Sequence, residues 1–93
     1  PRKVPMAQRT AVFGSSSGLH SRPAATLARA AAASKHTVTL AAGDTSVDAR
    51  SILALLQLGV KTGDEVALEV DGPEADRVAD ELQALLEQDL DAA

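Results

Sequence analysis

Several residue types are absent from the sequence, and each absence excludes a class of protein. The 93 residues include no cysteine, which excludes a disulfide framework and a thiolate metal site. Phe13 is the single aromatic residue, so the stacking platform of a single-strand nucleic-acid binder cannot form. No apolar run reaches the roughly 18 residues that predict a membrane span. We therefore expect a cytoplasmic protein that neither binds nucleic acid nor inserts into a membrane.

The motifs of common enzymes are missing as well. No group of His, Asp and Glu has metal-ligand spacing, and no serine lies in a nucleophile elbow. A phosphate-binding Gly-Lys-Ser/Thr loop is also absent. A conventional hydrolase or kinase is therefore disfavoured, and the sequence predicts neither a metal nor a cofactor.

Charge is divided unevenly along a chain whose formal net charge is −4. Residues 1–62 contain eight Lys/Arg and two Asp/Glu, whereas residues 63–93 contain one Lys/Arg and eleven Asp/Glu. Acidic segments of this kind are usually solvated faces. The basic part of the chain is the part that could meet an acidic protein partner.

Length limits the chain to one domain, because 93 residues leave no room for a second core. Met6 resembles a natural start, so we expect residues 1–5 to be an N-terminal extension, either natural or added for expression. A single domain is then expected over residues 6–93.

Hydrophobic periodicity and turn residues predict seven elements. In chain order they are a strand over 7–13, a helix whose N-cap is Ser21 or His20 and which ends near 33, a hairpin over 36–42 and 45–48, a short helix between Ser51 and Gly59, a strand over 64–70 and a final acidic helix from 75. A hairpin combined with helical crossovers predicts an α+β fold of two layers, in which helices cover one face of a mainly antiparallel sheet.

The segment "GLHSRPAA", residues 18–25, places a histidine at the predicted start of the first helix. Pro23 is tolerated there because the first helical turn leaves its N–H groups unpaired. The same unpaired groups bind phosphate, and a neutral imidazole nitrogen can accept a phosphoryl group. Arg22 could hold the phosphate oxygens through two donors. The alternative is that His20 is only an exposed capping residue.

The second predicted helix is apolar around nearly its whole circumference. Leu55 and Leu58 could supply the side that a two-turn helix buries on a sheet. Ile52, Leu53 and Leu56 would then share a more exposed side, which is typical of a partner-binding surface. The alternative is that loops or the first helix cover them. His36 opens a predicted strand with no nearby partner, so we expect it to be structural.

The motifs "GLHSRPA" and "RSILALLQLG" at this separation resemble the histidine-containing phosphocarrier (HPr) family of the bacterial phosphoenolpyruvate:sugar phosphotransferase system. The resemblance runs from about Met6 to Leu90. It implies an open-faced sandwich with a four-stranded antiparallel sheet covered on one face by three helices, in the order β-α-β-β-α-β-α. It also implies that the protein is a stoichiometric carrier, and not an enzyme that turns over a small substrate.

Site residues follow from the same resemblance. His20 matches the histidine that takes phosphate on its δ1 nitrogen from enzyme I and passes it to a sugar-specific IIA domain. Arg22 matches the active-site arginine, and Ser17 and Ser21 are expected to support phosphate binding. Ser51 matches the serine that a dedicated HPr serine kinase/phosphorylase modifies in many low-GC Gram-positive bacteria.

The resemblance further implies that Ile52, Leu53 and Leu56 form the docking surface for partners, and that the carrier is a monomer. Three alternatives stay open. The chain could be a regulatory binding module of the same fold that acts through Ser51 and the second helix, or a carrier in a nitrogen-related or dihydroxyacetone-kinase phosphorelay. It could also be a generic α+β interaction domain, in which none of these residues has a special role.

Overall fold

The computed structural model of the chain describes residues 5–90, and the elements within that range follow the predicted order. They are β1 (Met6–Val12), α1 (Ser21–Ser34), β2 (Thr37–Ala42), β3 (Thr45–Asp48), α2 (Ile52–Gln57), β4 (Glu65–Asp71) and α3 (Ala75–Glu87). The predicted element types and order are confirmed, and the ends differ from prediction by one or two residues.

The four strands form one antiparallel sheet in the order β1-β4-β2-β3. On the central strand β4, Val66, Leu68 and Val70 are buried, and they alternate with exposed or half-buried residues. Val70 lies opposite both Ala7 of β1 and Val38 of β2. This register places one continuous apolar face of the sheet beneath the helices, and the opposite face stays open. The predicted open-faced sandwich is confirmed.

Helix α1 lies on the core through small side chains. Its buried residues recur at helical spacing and are Pro23, Ala24, Leu27, Ala28 and Ala31. Alanine favours the helix and lets its backbone approach its neighbours closely. Lys35 is the C-cap residue of α1 and has a left-handed conformation (φ 61°), and its N–H bonds the carbonyl of Ala32 at 3.1 Å. α1 packs against both α2 and α3.

His36 has partners, contrary to the sequence-based expectation. It lies in the turn between α1 and β2, where Nδ1 is 2.5 Å from the Ser34 carbonyl oxygen and Nε2 is 2.5 Å from the Pro73 carbonyl oxygen. The turn after β4 reaches His36 because Thr37 and Asp71 are opposite each other in the sheet. The expected structural role agrees with these contacts, but the expected absence of a partner was wrong.

Part of the acidic C-terminal third is paired rather than simply solvated. Asp76 and Asp80 of α3 hydrogen-bond the guanidinium of Arg9 on β1, at 3.2 and 3.0 Å. Both hydrogen bonds raise the pKa of the Arg9 guanidinium, and the bond to Asp80 contributes more than the bond to Asp76. They tie the edge strand to the helix that covers it.

Residues 1–4 of the expected N-terminal extension lie outside the described residues. The Pro5 carbonyl accepts a hydrogen bond from the N–H of Gly72 at 2.9 Å, one residue before β1 begins. Across residues 5–90, no helix combines the length and the apolar character needed to cross a bilayer.

Candidate functional site

Residues 13–20, which we call the histidine loop, connect β1 to α1. The loop turns at Ser15, whose carbonyl accepts the N–H of Gly18 at 3.1 Å. Gly18 has a φ of +79°, and a Cβ built there would lie 3.2 Å from the carbonyl oxygen of Val60. The next residue, Leu19, donates its N–H to the same oxygen at 2.9 Å. Gly18 is therefore required both by its conformation and by the close approach of the segment at Val60.

His20 is the N-cap residue of α1. Its backbone is extended (φ −105°, ψ −166°), and its carbonyl accepts the N–H of Ala24 at 3.0 Å. The side chain is exposed and makes no capping hydrogen bond to the helix. His20 is therefore an exposed N-cap residue, as the alternative expects, but its imidazole does not take part in the cap.

Two backbone donors lie next to His20 at the helix N-terminus. The N–H groups of Ser21 and Arg22 have no intrahelical acceptor because they precede the first helical hydrogen bond. Pro23 has no N–H, and Ala24 already bonds to His20. Together with the partial positive charge of the N-terminus, the Ser21 and Arg22 amides favour an anion held on the His20 ring.

The predicted phosphate-supporting side chains are distributed on both sides of His20. Ser21 and Arg22 are exposed in the first turn of α1, so their side chains emerge beside the same amides. Ser17 lines an open depression of about 510 Å³ together with His20. Ser17 and His20 therefore share this depression, and Ser21 and Arg22 follow His20 directly as exposed residues.

The opposite wall of that depression consists of residues 59–62. This segment follows α2, and Thr62 donates its hydroxyl to the carbonyl of Ser15. This wall is not evident from the sequence, because only Gly59 carries a recognisable signal there. Since Gly59 closes α2, the depression at His20 adjoins the end of the second helix.

The segment after α3 supports the histidine loop from another side, and this contact was not predicted from the sequence either. Ser15 is fully buried, and its hydroxyl accepts the Leu90 N–H at 2.9 Å and donates to the Gln88 carbonyl at 3.5 Å. The Asp89 carboxylate accepts the N–H and hydroxyl of Ser16 at 3.0 and 3.3 Å. These partners are more than 70 residues apart in sequence, so no local pattern reveals them.

Helix α2 begins with Ser51 as its N-cap. The Ser51 hydroxyl accepts the N–H of Ala54 at 3.2 Å, as the sequence predicts for a capping serine. Just before it, the Arg50 guanidinium bonds the Asp48 carboxylate at 3.1 and 2.8 Å. This bonding lowers the pKa of Asp48 to about 2. The pair ties the end of β3 to the start of the helix.

Three apolar side chains of α2 form the exposed surface that we call the α2 patch. Ile52 is 42% exposed, Leu53 67% and Leu56 38%. Leu55 is fully buried and Leu58 packs against the core. The predicted division of this helix into a buried and an exposed side is confirmed, and neither α1 nor the loops cover the patch.

Metal-ligating side chains do not converge. Among residues 5–90, no three His, Asp or Glu side chains are grouped so that they could hold a metal ion. His20 begins α1 and His36 follows its end, so the two imidazoles are separated by the length of the helix. The chemistry available at the site is that of a single imidazole beside a helix N-terminus.

Comparison with known proteins gives a consistent set of similarities. The family model described as "PTS HPr component phosphorylation site" matches residues 7–88. The phosphocarrier protein HPr of Streptomyces coelicolor is 40% identical over 87 residues, which cover 92% of this chain and 94% of that protein. The HPr of Mycoplasma capricolum is 32% identical over 88 residues, with 95% and 96% coverage. The crystal structure of HPr-C-His from Thermoanaerobacter tengcongensis superposes with a TM-score of 0.84 at 26% identity, covering 94% of this chain and 98% of that one.

Proposed function

Because the chain belongs to the HPr family of phosphocarrier proteins of the phosphotransferase system, we propose that His20 is the residue on which it carries the phosphoryl group. One observation supports this assignment above the others. The His20 ring is exposed at the N-terminus of α1, is not used to cap the helix, and lies next to the amides of Ser21 and Arg22.

The transfer step follows from that arrangement. The lone pair of Nδ1 attacks the phosphorus of the donor, the N–P bond forms, and the bond from phosphorus to the donor breaks with its electron pair staying on the donor. The phosphoryl oxygens then face the Ser21 and Arg22 amides and the partial positive charge of the helix. The Arg22 guanidinium adds two parallel donors that a lysine could not supply. Held on nitrogen in this way, the group can pass to an acceptor by the reverse sequence of bond changes.

The partners we propose are enzyme I as donor and sugar-specific IIA domains as acceptors. The α2 patch is the surface on which they would dock, because its three side chains are exposed and apolar on a helix that is otherwise anchored by Leu55. The depression that holds His20 adjoins the end of this helix at Gly59. A partner that covers the patch would therefore bring its own reactive group to the imidazole.

Transfer from labelled phosphoenolpyruvate through enzyme I tests the assignment. We expect the wild-type protein to take up one phosphoryl group that is lost in acid and survives alkali, because it is bonded to nitrogen. Peptide mapping at alkaline pH should place it on His20, and omission of enzyme I should prevent labelling. An acid-stable label, or a label on another residue, would refute the proposal.

Ser51 is proposed as a regulatory position at the edge of the α2 patch. Its hydroxyl already caps α2, and the three patch residues follow within one and a half turns. A phosphate on this hydroxyl would add about −1.5 to −2 charges beside an apolar docking surface. Such a charge would oppose burial of the patch against a partner.

We expect Ser51→Asp to leave the melting temperature unchanged while slowing transfer from enzyme I about tenfold at low donor concentration, the loss that a penalty of about 1.4 kcal/mol brings. Stability is kept because aspartate is also a good N-cap residue. High donor concentration should restore labelling, since His20 is not altered. Ser51→Ala is the matched control, with normal transfer and a loss of about 1 kcal/mol in stability. Normal transfer by Ser51→Asp at low donor would leave Ser51 with a capping role only.

A further inference from the structure

The chain leaves α3 in a way that brings it across the histidine loop. Gln88 ends the helix in an extended conformation (φ −76°, ψ 154°), and its N–H still bonds the Leu85 carbonyl at 3.2 Å. The residues that follow therefore run away from the helix axis. They meet the histidine loop at Ser15 and Ser16.

Asp89 is the charged member of this contact. One of its carboxylate oxygens accepts both the backbone N–H of Ser16 and the Ser16 hydroxyl, at 3.0 and 3.3 Å. The flanking bonds of Leu90 and Gln88 to the buried Ser15 hydroxyl fix the register of the contact.

The contact lies on the segment that leads directly to His20. Ser16 lines the same depression as His20, and on the opposite wall Leu19 bonds Val60 and Ser15 bonds Thr62. Asp89 thus fixes one side of the loop, and the segment 59–62 fixes the other. Without the Asp89 carboxylate, Ser16 loses this acceptor and can shift between the neighbouring contacts of Ser15 and Leu19, which remain.

We propose that Asp89 is a positioning residue for phosphoryl transfer, which holds Ser16 so that the His20 imidazole keeps its orientation toward the Ser21 and Arg22 amides. The inference rests on the proposed function of His20. Transfer rates depend steeply on the placement of the attacking atom. Loss of the contact should therefore lower the limiting rate of transfer without lowering the affinity of the α2 patch for the donor.

Three variants test this role. We expect Asp89→Ala to lower the limiting rate of labelling by enzyme I about tenfold, with an unchanged half-saturating donor concentration. Asp89→Asn keeps an acceptor for the Ser16 N–H and should retain most of the rate. Glu87→Ala is the matched control, because it removes the same charge two residues earlier from an exposed side chain and should behave as wild type. Amide hydrogen exchange at Ser16 should accelerate in Asp89→Ala alone.

The outcomes are separable from those of the function test. If the wild-type protein takes up no label, the proposed role of His20 is refuted. Amide exchange at Ser16 then still measures whether Asp89 holds the loop. If wild type labels normally and Asp89→Ala does so at the same limiting rate, the positioning role is overturned. An equal loss in Glu87→Ala would assign the effect to net charge, and a raised half-saturating concentration would assign it to docking. Either result contradicts the proposal.

If Asp89→Ala does not fold, Asp89→Asn is the test variant. A tenfold lower limiting rate in Asp89→Asn, with unchanged amide exchange at Ser16, would also contradict the positioning role.

Discussion

His20→Ala is expected to take up no phosphoryl group from enzyme I at any donor concentration. Alanine has no nitrogen to form the N–P bond, and the chain's other histidine cannot replace it. Both ring nitrogens of His36 lie 2.5 Å from carbonyl oxygens, of Ser34 and Pro73, so neither is accessible to a donor. Gel autoradiography after incubation with labelled phosphoenolpyruvate measures the loss directly.

The His20→Ala protein should remain folded, which makes the loss interpretable. The ring is exposed and makes no capping bond, so the free energy of unfolding should change by no more than about 0.5 kcal/mol. A His36→Ala variant is the natural comparison, since it should lose stability and keep its label. Labelling of His20→Ala at the wild-type level would remove His20 from the reaction.

Gly14→Ala is expected to destabilise the protein by about 3 kcal/mol, at the upper end of what overpacking usually causes. A Cβ on Gly14 would collide with the carbonyl oxygen of Glu87 at the end of α3. That neighbour is backbone, so no side-chain rotation relieves the overlap. The Gly14 N–H also bonds the Leu86 carbonyl at 3.0 Å, which holds the two segments together. Denaturant unfolding followed by circular dichroism measures the effect, because the chain has no Trp or Tyr.

Gly43→Ala provides the comparison for this variant. Gly43 has a φ of +60° and no atom within 4 Å of an added Cβ, so it should show only the conformational penalty of about 1 kcal/mol. Gly14→Ala should also slow phosphoryl transfer, because it displaces the segment that carries Asp89. A smaller loss of stability at Gly14 than at Gly43 would contradict the close approach of the loop to α3.

The features that sequence predicted are those with local causes. Alternation in β4 reflects the pleat of a half-buried strand, and the apolar spacing of α3 reflects a helix with one covered face. His20, Ser21 and Arg22 are neighbours at the start of α1 because they are consecutive in the sequence and Pro23 and the alanines after it favour a helix there. The α2 patch could be predicted because a helix of this length cannot bury all of its apolar side chains on one sheet.

The features that sequence did not predict depend on contacts between distant segments. Ser15 looks like any loop serine, and its burial follows only from the arrival of residues 88–90. The partners of His36 exist because β2 and β4 are neighbours, which brings Pro73 to the end of α1. Gly14 carries no turn signature, since its role is to leave room for the backbone of Glu87. Polar contacts of this kind produce no periodic pattern in the amino-acid sequence.

The hydrogen bond from the Leu90 N–H to Ser15 has a consequence for where an affinity tag can be attached. It places the end of the described chain beside the depression at His20, so an affinity tag fused there would crowd incoming partner proteins. Met6 begins β1 at the other end of the strand, and the seven residues of β1 separate it from the histidine loop by roughly 20 Å. Immobilisation on a sensor surface through a linker ahead of Met6 would therefore leave both the imidazole and the α2 patch accessible.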